Sequence, residues 1–109
     1  MKDTGKVIIF VTASSEEEAG KIAERLLTSR KAACVNIVPR VSSSFWWQGK
    51  LDSAQESLLI IKTRDSLLPE IIEMVKSAHS YSVPEIIALP IIGGNEDYLN
   101  WIDDEVKES

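Results

Sequence analysis

Cysteine and histidine are nearly absent from this 109-residue sequence, which contains one of each. A single cysteine cannot form an intrachain disulfide, and a free thiol is compatible with a reducing compartment. We therefore expect a cytoplasmic protein. Zinc and copper sites usually take three or four nitrogen, sulfur or carboxylate ligands, and the soft or borderline donors here are Cys34 and His79. Any metal site is therefore expected to be shared between subunits, assisted by carboxylates, or weak.

An excess of positive charge and long apolar runs are also missing. Twelve Lys and Arg against seventeen Asp and Glu give a net charge of -5, which repels phosphate backbones and argues against a nucleic-acid partner. The apolar segment 7–11 is shorter than a usual signal-peptide core, and no apolar run approaches membrane-spanning length. We therefore expect no membrane association.

Signatures of common catalytic sites are missing as well. The segment after the first predicted strand, residues 14–18, reads SSEEE, which is neither glycine-rich nor basic. It therefore lacks a phosphate cradle and the arginine that an acylphosphatase-type hydrolase would need. The sequence has one histidine, and the positions of its Ser and Cys residues relative to that histidine do not indicate a pair of nucleophile and general base. We expect a binding or sensing protein and not an enzyme.

The length and the 44% hydrophobic content fit one globular domain over residues 1–109. Ser15 followed by Glu18 is a capping-box pattern, and Pro69 suits the first turn of a helix capped by Ser66. We predict, in chain order, a strand over 6–12, a helix from Ser15, a strand over 32–38 extended through 41–47, a turn at 48–50, a strand over 57–63, a helix over 66–78, a strand over 85–92 and a helix over 96–106. This α+β order, βαββαβ with a long β-hairpin and a short C-terminal helix, is ferredoxin-like.

The predicted strands are apolar on both faces. Segments 7–11, 58–61 and 86–92 are nearly continuous apolar runs. The two main helices of this fold cover only one face of the sheet, so a monomer would expose a large hydrophobic patch on the other. We therefore expect a homo-oligomer in which the second face and the aromatic hairpin tip contact a neighbouring subunit.

Several residues have both a structural and a functional interpretation. Cys34 alternates to the side of Asn36 and is either a small buried residue or a metal ligand. His79 either caps the second main helix as an imidazolium or binds metal. The tryptophans of the hairpin tip either pack at an interface or stack on a ligand. Lys62, Tyr81 and Glu85 fall at predicted strand ends, where they could line a polar pocket beside the tip.

Five short segments make the chain similar to the CutA divalent-cation tolerance proteins from about residue 7 to residue 106. They are AACVN at 32–36, SFWWQGK at 44–50, IKT at 61–63, VPEIIA at 83–88 and NEDYLNW at 95–101. The resemblance implies a ferredoxin-like homotrimer with the architecture of PII signalling proteins, a role in tolerance of copper and other divalent metals, and no established enzymatic reaction. It also implies an intersubunit ligand pocket formed by Cys34, Trp47, Lys62, Tyr81, Glu85 and Trp101.

One segment departs from the family pattern. Where the family usually has His-Pro-Tyr followed by Glu or Asp, this sequence has His79-Ser80-Tyr81-Ser82. The loss of a rigid proline and of an acidic side chain predicts a looser loop that is poorer in carboxylate. The sequence leaves two functions open: binding of copper or another divalent ion between subunits, or binding of a small anionic metabolite with Lys62 and Arg64 as counter-charges.

Overall fold

The computed structural model describes residues 3–108, which form one four-stranded sheet and three helices. The elements are β1 (Lys6–Ala13), α1 (Glu16–Thr28), β2 (Cys34–Trp47), β3 (Lys50–Arg64), a 3-10 turn (Asp65–Leu67), α2 (Leu68–Ala78), β4 (Ile86–Pro90) and α3 (Glu96–Glu105). The strands lie in the order β2-β3-β1-β4, and every neighbouring pair is antiparallel. The predicted ferredoxin-like α+β fold is confirmed. No helix within residues 3–108 is long and apolar enough to cross a membrane.

The helix boundaries follow the sequence signals with one exception. The Ser15 hydroxyl accepts a hydrogen bond of 3.1 Å from the Glu18 N–H, as the capping pattern predicts. The cap predicted at Ser66 is wrong: residues 65–67 form a 3-10 turn, and α2 begins at Leu68 without a side-chain cap. The Ser66 hydroxyl instead donates to the Glu108 carboxylate at 2.7 Å. Tertiary contact with the C-terminal segment has replaced the local cap.

Strands β2 and β3 form a hairpin that extends beyond the rest of the sheet. Gln48 and Gly49 join them with φ angles of 51° and 78°, the positive pair that a tight type I′ turn requires. An irregularity between Val38 and Val41 lets the strand continue past Pro39, as the predicted extension through 41–47 requires. Strand β1 pairs with β3 only as far as Ser57, so residues 50–56 pair with β2 alone. The hairpin end is a two-stranded ribbon.

The core lies between the sheet and helices α1 and α2. Alternate residues of the central strands point into it, and Ile9, Val11, Leu59 and Ile61 are fully buried. The intervening residues point to the opposite side, which we call the open face. The period of two along each strand therefore separates the core from the open face.

Helix α3 covers one end of the open face, which differs from the prediction of a face without intrachain cover. Asp103 of α3 contacts Lys6 at 2.7 Å, and both Leu99 and Ile102 are buried outside the main core cluster. Farther along the same face, Ile87 and Leu89 stay 51% and 45% exposed. The apolar runs therefore serve two purposes: part of the face packs on α3, and part remains at the surface.

Candidate functional site

The six residues predicted to form a pocket lie at two ends of one subunit. Cys34 and Lys62 are cross-strand partners near the end of the sheet that α3 covers, and Trp101 lies on α3. Trp47, Tyr81 and Glu85 line a cleft at the hairpin end. Glu56 of β3 lines the same cleft as Tyr81 and Glu85. Lys62 is six residues farther along β3 than Glu56, which corresponds to a separation of roughly 20 Å. Within one chain, Lys62 therefore does not line a pocket with Tyr81 and Glu85, and the predicted intersubunit pocket of all six residues stays a prediction.

The Cys34 end is a small polar cluster on the open face. The Lys62 ammonium lies 3.9 Å from the Cys34 sulfur and donates a hydrogen bond to the Asn36 side-chain oxygen. Burial and the neighbouring Cys34 thiol raise the pKa of Tyr98, whose ring lies 5.4 Å from that of Trp101. Cys34 is half-buried, so a neighbouring molecule can still reach it.

The cleft at the hairpin end lies between the open face of the ribbon and the loop that follows α2. Its volume is about 780 Å³. The loop contributes Tyr81, Ser82, Val83 and Glu85. The remaining walls are Thr12, Ser42, Ser43, Ser44, Phe45, Trp47, Asp52, Ser53, Ala54 and Glu56. The cleft thus combines aromatic rings, hydroxyl groups and three carboxylates.

Glu56 is the cleft residue that sequence reasoning missed. Its side chain points to the open face and only 7% of the residue is exposed, although carboxylates are rarely buried. The Tyr81 hydroxyl donates a 2.8 Å hydrogen bond to Glu56 Oε2. Burial, together with this bond and the negative charge of Glu56, raises the pKa of Tyr81 to about 12. The one sequence signal was a charged residue two positions before the apolar run of β3.

The raised pKa of Tyr81 predicts a specific loss of stability in alkali. Its folded pKa of about 12 exceeds the usual 10.0, so the stabilising contribution is complete below pH 10 and is lost as the pH rises to about 12. Ultraviolet titration of tyrosinate, with Tyr98→Phe removing the other tyrosine, should show this late ionisation. Glu56→Gln should move the Tyr81 transition back toward 10. A Tyr81 transition near pH 10 in the parent protein would contradict the Glu56 contact.

His79 holds the loop that forms one wall of the cleft. Its ring is fully buried, with Nε2 2.7 Å from the Thr12 carbonyl oxygen, and Nδ1 accepts the Tyr81 N–H at 3.0 Å. The Glu18 carboxylate lies 3.6 Å from the same Nδ1, so the ring is held from α1 as well. His79 lies at the C-cap of α2, as the capping interpretation expects, and both of its nitrogens are engaged within the chain, so the metal-ligand interpretation does not fit this arrangement. His79 is a structural residue that positions Tyr81.

Glu18 supports the same loop from α1. Its carboxylate accepts hydrogen bonds from the Ser14 N–H at 3.0 Å and the Ser80 N–H at 2.9 Å. Burial alone would raise the pKa of Glu18, but hydrogen bonds from Ser14 and Ser80 outweigh it and hold the pKa below its ordinary value. Although Ser80 stands where the family usually has proline, its N–H donates a bond that proline could not make. The loop is therefore held by a different set of hydrogen bonds, and the loss of proline does not simply make it looser.

Within residues 3–108, no three side chains of the types His, Cys, Asp and Glu come close enough together to hold a metal ion. Cys34 lies at one end of the open face, and the three cleft carboxylates line the other without converging. The part of the chain that the structure describes therefore presents metal-binding groups in incomplete sets.

Comparison with known proteins identifies the family. A sequence model described as CutA1 divalent ion tolerance protein matches residues 7–105. A rice protein, "Protein CutA 1, chloroplastic" from Oryza sativa subsp. japonica, is 48% identical over 103 residues, which cover 94% of this chain. This chain spans only 58% of that plant protein. A "Divalent-cation tolerance protein CutA" from Archaeoglobus fulgidus is 48% identical over 99 residues, covering 91% of this chain and 96% of that protein.

Solved structures agree with the sequence comparison. The crystal structure of CutA1 from Oryza sativa superimposes with a TM-score of 0.92 at 47% identity and covers 95% of both chains. The divalent cation tolerance protein (Cut A1) from Thermus thermophilus gives a TM-score of 0.92 at 45% identity, covering 94% of this chain and 99% of that one. The resemblance seen in the sequence is confirmed: this chain belongs to the CutA1 divalent ion tolerance family.

Proposed function

We propose that this chain is a subunit of a homotrimer that binds copper or other divalent metal ions where subunits meet. The observation that carries the proposal is the division of donor groups between the two ends of one open face. No three donors converge on a metal site within residues 3–108. An assembly that brings the Cys34 end of one subunit to the cleft of the next would join a thiol to carboxylates. Family membership supports the link to divalent-cation tolerance.

The remaining exposed surface of the open face supports assembly. Phe10 pairs with Ile60 on one side and Ile87 on the other, forming an apolar row across the sheet. Trp46 and Leu51, cross-strand partners near the hairpin turn, lie on the opposite side of the ribbon and add apolar surface there, since they are 73% and 68% exposed. Apolar surface of this extent is costly in water, and a second copy of the same chain is its simplest cover.

The candidate ligands differ in their preference for metals. A Cys34 thiolate is a soft ligand and suits Cu(I), whereas the carboxylates of Asp52, Glu56 and Glu85 suit harder divalent ions. The Lys62 ammonium lies 3.9 Å from the Cys34 sulfur, so it would repel a cation bound there unless it moves away. A neighbouring carboxylate that draws Lys62 away would therefore assist metal binding at Cys34.

We further propose that the protein is not an enzyme. Cys34 contacts Lys62 and Asn36, whereas His79 is buried beside Thr12 at the other end of β1 and β3. The nucleophile and the imidazole base that thiol catalysis requires are therefore separated. This arrangement favours reversible ligand binding as the activity of the protein.

Replacing Cys34 with Ser is expected to abolish tight Cu(I) binding while leaving Cu(II) binding by carboxylates in place. Serine keeps the size of the side chain but removes the soft ligand. Metal-free oligomers of the parent protein and of Cys34→Ser should each be titrated with Cu(I) and with Cu(II). The bound metal per trimer and the melting temperature should be followed together. Binding to the native state alone must raise the apparent stability.

The same titration separates the two functional hypotheses. If neither ion binds the intact oligomer at micromolar concentration, direct metal binding fails and the anionic-metabolite hypothesis takes its place. Ser53→Ala serves as the control variant, because it removes a hydroxyl from the cleft wall without changing a thiol or a charge.

A further inference from the structure

Arg64, at the end of β3, uses only part of its hydrogen-bonding capacity. Its Nη2 lies 3.2 Å from Glu108 Oε2, which also accepts the Ser66 hydroxyl at 2.7 Å. Its Nε is buried and has no hydrogen-bond partner among residues 3–108. Asp103 Oδ1 lies 3.8 Å from Nε, which is too far for a hydrogen bond. A buried donor without an acceptor is costly, so an acceptor placed at Nε would stabilise this part of the protein.

The two nitrogens of Arg64 form a fork on one edge of the guanidinium group. The N–H of Nε and one N–H of Nη2 are parallel, and together they match two oxygens carried by one atom. A carboxylate or a phosphate group can therefore bind both. Glu108 Oε2 satisfies Nη2 and leaves Nε open, so a side chain of the same chain occupies half of the fork.

The Glu108 carboxylate can leave the fork without unfolding the C-terminal segment. The side chain is 50% exposed, and an ion pair with a partner as exposed as this contributes little to stability. The backbone is held separately: Lys31 donates to the Lys107 carbonyl at 3.1 Å, and the Lys107 N–H donates to the Arg30 carbonyl at 2.8 Å. Val106 is buried in the core. Displacement therefore needs only a rotation of the Glu108 side chain.

The charges around the fork favour an anion. Lys31 pairs with Glu70 at 3.2 Å, so these two charges offset each other. Asp103 contacts Lys6 at 2.7 Å and is therefore only partly available to Arg64. When the present partner of Arg64 moves away, the guanidinium is left without a close counter-charge. An anion that arrives there restores the charge balance and gains the bond to Nε.

We propose that the fork of Arg64 and the Ser66 hydroxyl bind a small oxyanion, a carboxylate or a phosphate group, in place of Glu108. Glu108 is then an internal competitor that lowers the apparent affinity of the site. The site lies within one subunit and uses neither Cys34 nor any residue of the cleft at the hairpin end. It therefore goes beyond metal binding.

The test is a titration of the metal-free oligomer with inorganic phosphate, followed by NMR through the Arg64 Nε–H and the Ser66 amide signals. We expect saturable shifts of both signals with phosphate and none with sodium chloride at matched ionic strength. A parallel titration with acetate shows which of the two oxyanions binds more tightly. Glu108→Gln should raise the phosphate affinity about threefold to tenfold, because it removes the competing charge.

Two further variants make the test specific. Asp104→Asn removes the same charge from an exposed position that forms no ion pair within residues 3–108, and it should leave the affinity unchanged. Arg64→Lys keeps the charge but removes the fork, so the Ser66 amide should no longer respond to phosphate.

Three results would overturn the proposal. The first is an Arg64 Nε–H signal in Glu108→Gln that phosphate does not change. The second is equal phosphate binding by Arg64→Lys, and the third is an equal gain in affinity from Glu108→Gln and Asp104→Asn, which would show general electrostatic attraction. Each result leaves the metal proposal intact, because none of these variants alters a candidate metal ligand.

Discussion

Replacing Ile60 with Asp is expected to convert the proposed trimer into folded monomers. Ile60 lies at the centre of the open face opposite Phe10 and is half-buried within one subunit. A carboxylate there stays hydrated in a monomer but becomes a buried unpaired charge in the assembly. The cost is about 3 kcal/mol or more, which weakens association by about a hundredfold or more. Sedimentation and light scattering at micromolar concentration measure the change.

A matched substitution separates this effect from a simple change of charge. Ser77→Asp adds the same negative charge on the exposed surface of α2, far from the open face, and should leave the oligomer intact. Circular dichroism of Ile60→Asp should retain the signals of helix and sheet, since the core on the opposite face is untouched. An Ile60→Asp protein that remains trimeric would show that the open face is not an assembly surface.

Adjacent leucines of β3 should respond to alanine substitution in opposite ways. Leu59 is fully buried in the core, and Leu58 points to the open face. Leu59→Ala is expected to lower the free energy of unfolding by about 2–5 kcal/mol, because it leaves a cavity in a closely packed core. That loss belongs to the subunit, so it should not depend on protein concentration.

Leu58→Ala should instead destabilise mainly through assembly. The melting temperature of an oligomer rises with protein concentration, since association stabilises the folded state by mass action. We expect the decrease in melting temperature caused by Leu58→Ala to change when the protein is diluted over a hundredfold range. The decrease caused by Leu59→Ala should stay constant over the same range. Thermal unfolding followed at several concentrations distinguishes the two. If both variants lowered the melting temperature by an amount that is the same at every protein concentration, the assignment of Leu58 to an interface would be contradicted.

Local signals were sufficient wherever neighbours along the chain determine the conformation. The Ser15 cap, the strand β1 and the turn at Gln48-Gly49 were all predicted correctly, because capping, extended backbone and tight turns depend on residues close in sequence. Ser66 shows the limit of this reasoning. Its hydroxyl could cap a helix, but the carboxylate of Glu108 competes for it from far along the chain.

The candidate site was only partly predictable for the same reason. Cys34, Trp47 and Tyr81 were singled out as candidate site residues, yet their grouping depends on strand register and hairpin length. Lys62 was expected beside Tyr81 because both fall at strand ends. The pairing of Cys34 with Lys62 places that lysine at the opposite end of the sheet. The role of His79 likewise depends on Thr12, 67 residues away along the chain.

The sequence by itself determined the βαββαβ order, the excess of apolar strand surface and the family, since these follow from short-range periodicity and local motifs. Only the tertiary structure decided how the open face is divided between α3 and solvent. It also showed that Glu56 is buried under Tyr81 without a counter-charge among residues 3–108. The physical reason is that burial and electrostatics depend on distances in space, and the antiparallel register brings together groups that the chain keeps far apart.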